Sequence, residues 1–371
     1  MAKKRNTIED YLNELYRRGM AGDEEAQLEL IQFYVTETNL PLPDEAKVWL
    51  VTLAEKGDAQ ARRCYFAWAM SGDEGNFDWL KLEQWALELA ETAPGDAYCM
   101  LGMLYEAGLP GFEDDKVAEG HYRKAIEAGN EGCAFYLARV LLGHEESVSY
   151  EEVRELLERA ERVNPSAPVY DLLGTVCQEL GDDAAAVKCF QKLHRLDPSD
   201  SECCLELAQA YALGAGVRQD DEIALRYFQK AANLGDSYGM FMVGLHYYEG
   251  LGTRRNFKRA ADYFKRALEM GDTHALYHLG ICCSRGEGVR QDAAAAVGYW
   301  QRGAALNDSS CCVALAMHCV DGGELQRAEE LLAQAREHMM AGDEELERQM
   351  EIVELCIATA RNSDAGAGDS E

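Results

Sequence analysis

The chain has 371 residues, 47% of them hydrophobic, and carries 66 acidic against 36 basic side chains, a formal net charge of −30. A field of that sign repels nucleic acid and anionic membrane surfaces, which excludes both as general partners, and the sequence has no window of ~18 apolar residues with which to span a bilayer. The opening MAKKRNTIEDYLNELY is basic but has no apolar stretch behind it, so it does not read as a secretory signal and a cytoplasmic protein is expected. Seven prolines, 33 glycines and the lack of alternating β-branched runs describe Ala/Leu/Glu-rich helices joined by short turns, an all-α chain.

In chain order, residues 6–18 read as one lone helix before GMAGD, an N-terminal capping helix assigned to residues 1–21. From residue 22 the sequence repeats. One position, the rung of each unit, recurs at Ile31, Phe66, Gly102, Ala138, Gly174, Ala208, Gly244, Gly280 and Ala316, in steps of 34 to 36, which makes nine units over residues 22–340. Self-similarity at such a period marks stacked units, none of which buries its apolar face alone.

Each unit has the same grammar. The first helix carries a small residue five before the rung and an apolar residue just before it (Leu101, Leu137, Leu173, Leu207, Val243, Leu279, Leu315). An aromatic or Cys follows three after it (Tyr34, Tyr105, Cys177, Tyr211, Tyr247, Cys283, Cys319). These offsets keep one helix face apolar. A loop follows, then a second helix anchored by Ala and aromatic residues: Ala224 with Tyr227 and Phe228, Ala260 with Tyr263 and Phe264, Ala296 with Tyr299 and Trp300. The unit closes on Gly235-Asp236, Gly271-Asp272 or Asn307-Asp308, where the first residue ends one helix in the αL conformation and the Asp stands near the start of the next. Glycine inside a helix costs about 1 kcal/mol against Ala. Its recurrence at the rung implies that the two helices approach most closely there, where a larger side chain would overpack them by about 1–3 kcal/mol.

The pattern small-x-x-x-Leu-Gly-x-x-Tyr-x-x-Gly-x-Gly-Val, then Ala and Tyr-Phe-x-x-Ala, then Gly-Asp, resembles the Sel-one-like repeat (SLR), an α/α repeat related to the tetratricopeptide repeat (TPR). It is clearest over residues 201–308; the unit at 94–129 keeps MLGMLYEAG but inserts a residue in its loop, GLPGFEDD. The segment 167–200 is similar to a TPR proper, with Gly174, Ala186, Phe190 and Pro198 at that family's spacings, and residues 22–93 depart most, with NLPLPDE in place of the glycine loop. The resemblance implies an α/α solenoid, a right-handed superhelix of helical hairpins with a concave groove, that works as a scaffold or adaptor without a shared active site. The expected organisation is divergent repeats at 22–93, the regular solenoid at 94–340, a C-terminal capping helix at 341–360 and a disordered acidic tail at 361–371. The last helices are expected at 324–339 and 343–360.

Chemistry-bearing motifs are few. HALYHLGICC places His274, His278 and Cys282 at i, i+4 and i+8 on one helix face, and imidazole and thiolate are good zinc ligands. Cys282, however, stands about 6 Å further along the axis than His278, and no fourth ligand is near, so no metal and no cofactor is expected and both histidines read as groove residues. The 13 cysteines, an odd number without a C-x-x-C pair, read as reduced thiols. Cys133, Cys203 and Cys311 fall five before a rung, where other units carry Ala26, Ala61, Ala97 or Ala275, and a free Cys packs like a small hydrophobe. No Ser/His/Asp arrangement and no Walker-type Gly-Lys-Ser/Thr occurs. The chain is not read as an enzyme.

Three loops remain: GAGVRQD at 214–220, GLGTRRN at 250–256 and GEGVRQD at 286–292. Each follows a helix with no strand before it, the wrong context for a phosphate cradle. Their glycines turn the chain, and Asp220, Asn256 and Asp292, with Asp114 at the equivalent offset, are placed to cap the second helix. Arg218, Arg254 and Arg290 share one offset, with Arg255 beside them, and make a basic rim that either pairs locally with Asp221 and its neighbours or docks an acidic partner segment. By analogy with the TPR family, helix-A offsets −3, +1 and +4 face the groove. That selects Phe241, Leu245, Tyr248, Tyr277, Ile281 and Met317, with Tyr238 and His274 near the edge; offset −3 is equally open to half-burial between helices. The resulting expectation is a monomeric, non-catalytic protein–protein interaction scaffold that binds a peptide or helix of a partner protein. The alternative is a redox- or metal-responsive regulatory protein using its Cys and His side chains.

Overall fold

Many helices in this chain begin where an Asp, Asn or Ser side chain accepts a hydrogen bond from a first-turn amide, and three in the second half end on a left-handed glycine, Gly214, Gly250 or Gly286. Asp23, Asp58, Asp78, Asp182, Asp236 and Asp308 all act as such N-caps, each worth about 1 kcal/mol. The computed structural model describes residues 2–37, 41–71, 77–108, 114–143, 149–340 and 342–368, and among them it contains α-helices and no strand. It divides into two units, Met1–Pro165 and Ser166–Glu371, so that the division falls inside the 94–340 span.

In the first unit α1 (Ala2–Met20) precedes four hairpins: α2 (Glu24–Gln32) with α3 (Asp44–Glu55), α4 (Ala59–Met70) with α5 (Trp79–Leu89), α6 (Pro94–Glu106) with α7 (Asp115–Glu127), and α8 (Cys133–Leu142) with α9 (Tyr150–Val163). A π-helical turn, Phe33–Glu37, extends α2. In the second unit the hairpins are α10 (Ala167–Glu179) with α11 (Asp183–Leu196), α12 (Ser201–Leu213) with α13 (Asp221–Asn233), α14 (Ser237–Glu249) with α15 (Phe257–Glu269), α16 (Ala275–Arg285) with α17 (Ala293–Ala304), and α18 (Ser309–Asp321) with α19 (Leu325–His338). The last helix is α20 (Glu344–Gly368). Within each unit a helix packs on its neighbour in sequence, the contact pattern of an α/α solenoid.

Two ends differ from expectation. The first helix starts at Ala2 rather than residue 6, and α20 continues to Gly368, through residues assigned to the tail. Leu346, Met350, Val353 and Ile357 anchor α20 in the same core as α18 and α19, and a helix so seated can run on past its last anchor. Residues 369–371 and most of the inserted loop, 109–113, lie outside the described residues, as do 38–40, which include the first two residues of NLPLPDE.

The rung explains the hairpin. All nine rung residues lie on the first helix of their pair and are buried. A Cβ built on Gly102 would stand 2.6 Å from the Tyr122 ring, on Gly174 2.6 Å from Phe190, on Gly244 2.7 Å from Phe264, and on Gly280 2.1 Å from the Trp300 indole. The second helix thus lays an aromatic ring against the glycine of the first. Burying such a ring contributes about 2–3 kcal/mol, more than the glycine costs.

The glycine loops do two jobs. Gly214, Gly250 and Gly286 end their helices with φ of 73°, 83° and 72°, the left-handed region where a side chain is strained. Gly216, Gly252 and Gly288 press on the preceding hairpin: a Cβ on them would lie 2.3, 2.2 and 2.1 Å from the main-chain carbonyls of Asp183, Asp221 and Phe257. The amides of Asp220, Asn256 and Asp292 close the loops by donating to the carbonyls of Tyr211, Tyr247 and Cys283 at 2.9, 2.7 and 2.9 Å.

Candidate partner-binding surfaces

The groove offsets can be followed from helix to helix. In the second unit Tyr238, Leu245, Tyr277, Ile281 and Met317 are half-buried and His274 is exposed. Phe241 and Tyr248 present little surface, at 8% and 9% exposure. The Phe241 ring packs 5.8 Å from Phe264, 5.7 Å from His274 and 5.5 Å from His278. Tyr248 packs 5.2 Å from Phe257, and its hydroxyl donates to Glu287 Oε2 at 2.6 Å. These two side chains bond one hairpin to the next, which removes most of their area from any partner.

His278 is placed differently from the groove residue expected. Its ring stacks on Phe264 at 5.1 Å and 19°, and burial pulls its pKa down to about 4. Cys282 is fully buried, and burial pushes its thiol up to about 12. His274 turns outward and its Nδ1 lies 2.8 Å from Asp272 Oδ1. The three do not converge, and among the described residues no three His, Cys, Asp or Glu side chains are grouped to hold a metal ion. Eleven of the 13 cysteines are buried, leaving Cys99 and Cys356 partly exposed.

The first unit holds a feature that sequence reasoning missed. An open cavity of about 450 Å³ lies across the first helices of three successive hairpins. Phe66, Ala67 and Met70 of α4, Met103 of α6 and Tyr136 of α8 supply its apolar walls. Glu106 and Arg139 stand at its edge, with the Arg139 Nε donating to Glu106 Oε1 at 2.7 Å and the Tyr122 hydroxyl donating to Oε2 at 2.6 Å. Ala67 and Met103 stand at +1 from their rungs and Met70 and Glu106 at +4. The offsets chosen for the second unit therefore mark the cavity in the first. The available signal was the pair Met70 and Met103 beside the small Ala67 and Ala107.

On the rim, Arg218, Arg254 and Arg290 are exposed. Among the described residues none of them has an ion pair, and the local pairing with Asp221 is not made. Arg255 folds back, 3.4 Å from the Glu249 carbonyl and over the Phe257 ring at 5.7 Å.

Residues 95–130, 201–236, 237–272 and 273–308 match the model of the Sel1 repeat. The chain contains four Sel1 repeats. They take in hairpins α6–α7, α12–α13, α14–α15 and α16–α17, and so all three glycine loops. No curated protein sequence matches the chain. Among solved structures, a protective antigen of uropathogenic Escherichia coli with an SLR fold is 22% identical, with a TM-score of 0.72 over 88% of this chain and 71% of that one. A Sel1 repeat protein from Oxalobacter formigenes is 20% identical, with a TM-score of 0.51 over 80% of this chain and 88% of that one. Both are likenesses of fold, and they show an SLR-type α/α solenoid.

Proposed function

We propose that this Sel1-repeat chain is a non-catalytic scaffold, monomeric and cytoplasmic, that binds a peptide or helix of a partner protein along the first-helix face of its hairpins. The observation that carries the reading is the apolar cavity at +1 and +4 offsets in the first unit, with the half-buried Leu245, Ile281 and Met317 at the +1 offset in the second and Tyr277 at −3. Met and aromatic side chains at the centre of a concave surface are typical of interface anchors. The test is a quantitative affinity capture comparing the wild type with Met70→Glu plus Met103→Glu, and with Leu245→Glu plus Tyr277→Ala, each checked for an unchanged melting curve. Retention of every partner by both variants sinks the groove.

A second reading, redox response, has one observation behind it: the half-exposed Cys99 neighbours the buried Cys133 and, with burial, holds its thiol well above the ordinary range. A timed thiol titration decides it. Scaffold thiols give two fast-reacting groups, Cys99 and Cys356, and all 13 after unfolding. Fewer than 13 in freshly purified, unreduced protein favours redox chemistry.

A further inference from the structure

The three glycine loops of the second unit form one edge. Gly252 sits on Asp221, the residue that follows the first loop, and Gly288 sits on Phe257, the residue that follows the second. Each loop is therefore seated against the end of the one before it. The closing hydrogen bonds and left-handed glycines repeat at the same positions in all three. Arg218, Arg254 and Arg290 project from this fixed frame in one register.

Several acids nearest in sequence are held by other groups, and Asp221 makes no ion pair with Arg218. Asp220 accepts hydrogen bonds from the amides of Glu222 and Ile223 at 3.1 and 3.0 Å, and Asp292 from that of Ala295 at 3.0 Å. Glu222 is paired with Arg226, and Glu287 accepts the Tyr248 hydroxyl. Among the described residues the three arginines thus keep unpaired guanidinium donors, although Asp220, Asp221 and Asp292 stand within three residues of them in sequence, on a chain whose net charge is −30.

We propose that this edge docks an extended acidic segment of a partner protein, whose carboxylates meet Arg218, Arg254 and Arg290 in turn. The proposal rests on the scaffold reading but concerns a surface apart from the first-helix face. Guanidinium forks match carboxylates two bonds at a time. Neighbouring loops stand about one helix diameter apart, ~10 Å, and an extended strand advances ~3.3 Å per residue, so acids at every third position fit the row. A long polyanion such as RNA would meet the acidic remainder of the surface, which favours a short peptide.

The test pans a phage-displayed random peptide library at low ionic strength against the full chain. Three forms are compared: wild type, the reversal Arg218→Glu with Arg254→Glu and Arg290→Glu, and the groove variant Met70→Glu with Met103→Glu. Wild type and groove variant should both enrich Asp and Glu, and the reversal should not. A peptide from the wild-type selection should bind the reversal about tenfold more weakly or worse, and the gap should close in roughly 0.5 M salt, where screening is short-ranged. The three arginines bond to no described side chain, so melting is expected to be unchanged; should the reversal fail to fold, the Gln triple variant is read instead. Equal enrichment against wild type and reversal, or none against wild type, overturns the proposal. So does binding of a single-stranded RNA oligomer to wild type but not reversal while acidic peptides go unselected. Loss of apolar positions from peptides selected on the groove variant, with acidic positions kept, separates the groove from the edge.

Discussion

Hairpins α14–α15 and α4–α5 place their bulk on opposite helices. In the first, the rung is Gly244 and Phe264, 20 residues on, lies against it. In the second, the rung is Phe66, and the position 20 residues on is Ala86, fully buried in the same core. The bulk has moved from the second helix to the first. A rung search based on small residues therefore finds this early unit only faintly.

The sharpest way to break this comparison is to empty the early contact. Phe66→Ala should cost about 3–5 kcal/mol, and Ala86→Phe added to it should recover part of that loss in a urea titration. A double variant no more stable than the single one refutes the exchange of volumes. The reciprocal change, Gly280→Leu, forces a side chain into the Trp300 indole and should cost about 3 kcal/mol as overpacking, with Gly244→Leu close behind. An unchanged melting temperature for either would show that the rung is misplaced.

Acid should separate the two regions next. His278 sits half-buried among aromatic rings of α14–α16, whereas α4–α5 contain no histidine. Its folded pKa of about 4 lies below the ordinary 6.5. As pH falls through 6.5 the unfolded chain takes up a proton that the folded chain refuses until about pH 4, so stability drops across that window, by roughly 2–3 kcal/mol. His278→Phe should flatten that drop. The chain has a convenient reporter, since Trp300 is its one tryptophan outside residues 49–85. Acid should shift Trp300 emission before that of the other four, and simultaneous shifts count against the idea. The smallest effect expected is a difference between glycines. Gly252→Ala meets the Asp221 carbonyl as well as a φ of 62°, while Gly22→Ala, at φ 91°, meets no atom within 4 Å. The left-handed conformation costs an alanine about 1–2 kcal/mol at either site; the clash at 252 should add about 1 kcal/mol more.

Helix order, hairpin register, glycine conformation and caps were legible because each rests on a local requirement: a period, a positive φ, an amide in need of an acceptor. The groove was less so. Offset −3 and +4 positions such as Phe241 and Tyr248 are apolar or aromatic whether they meet a partner or the next hairpin, and sequence cannot tell the two apart. The cavity beside Met103 depends on small residues, Ala67 and Ala107, on different hairpins that leave space together. That is a property of summed volumes in three dimensions. The arginine row was visible as a shared offset, yet its lack of pairing came only from seeing which neighbouring acids the caps consume.

The seats of Gly216, Gly252 and Gly288 lie 36 residues apart, and each joins main chain to main chain. A joint that reads no side chain is indifferent to which hairpin stands next. Excising residues 237–272 would bring Gly288 onto Asp221 just as Gly252 is now. Length in such a protein is a heritable variable that duplication or loss changes one hairpin at a time, and the span of the arginine edge changes with it.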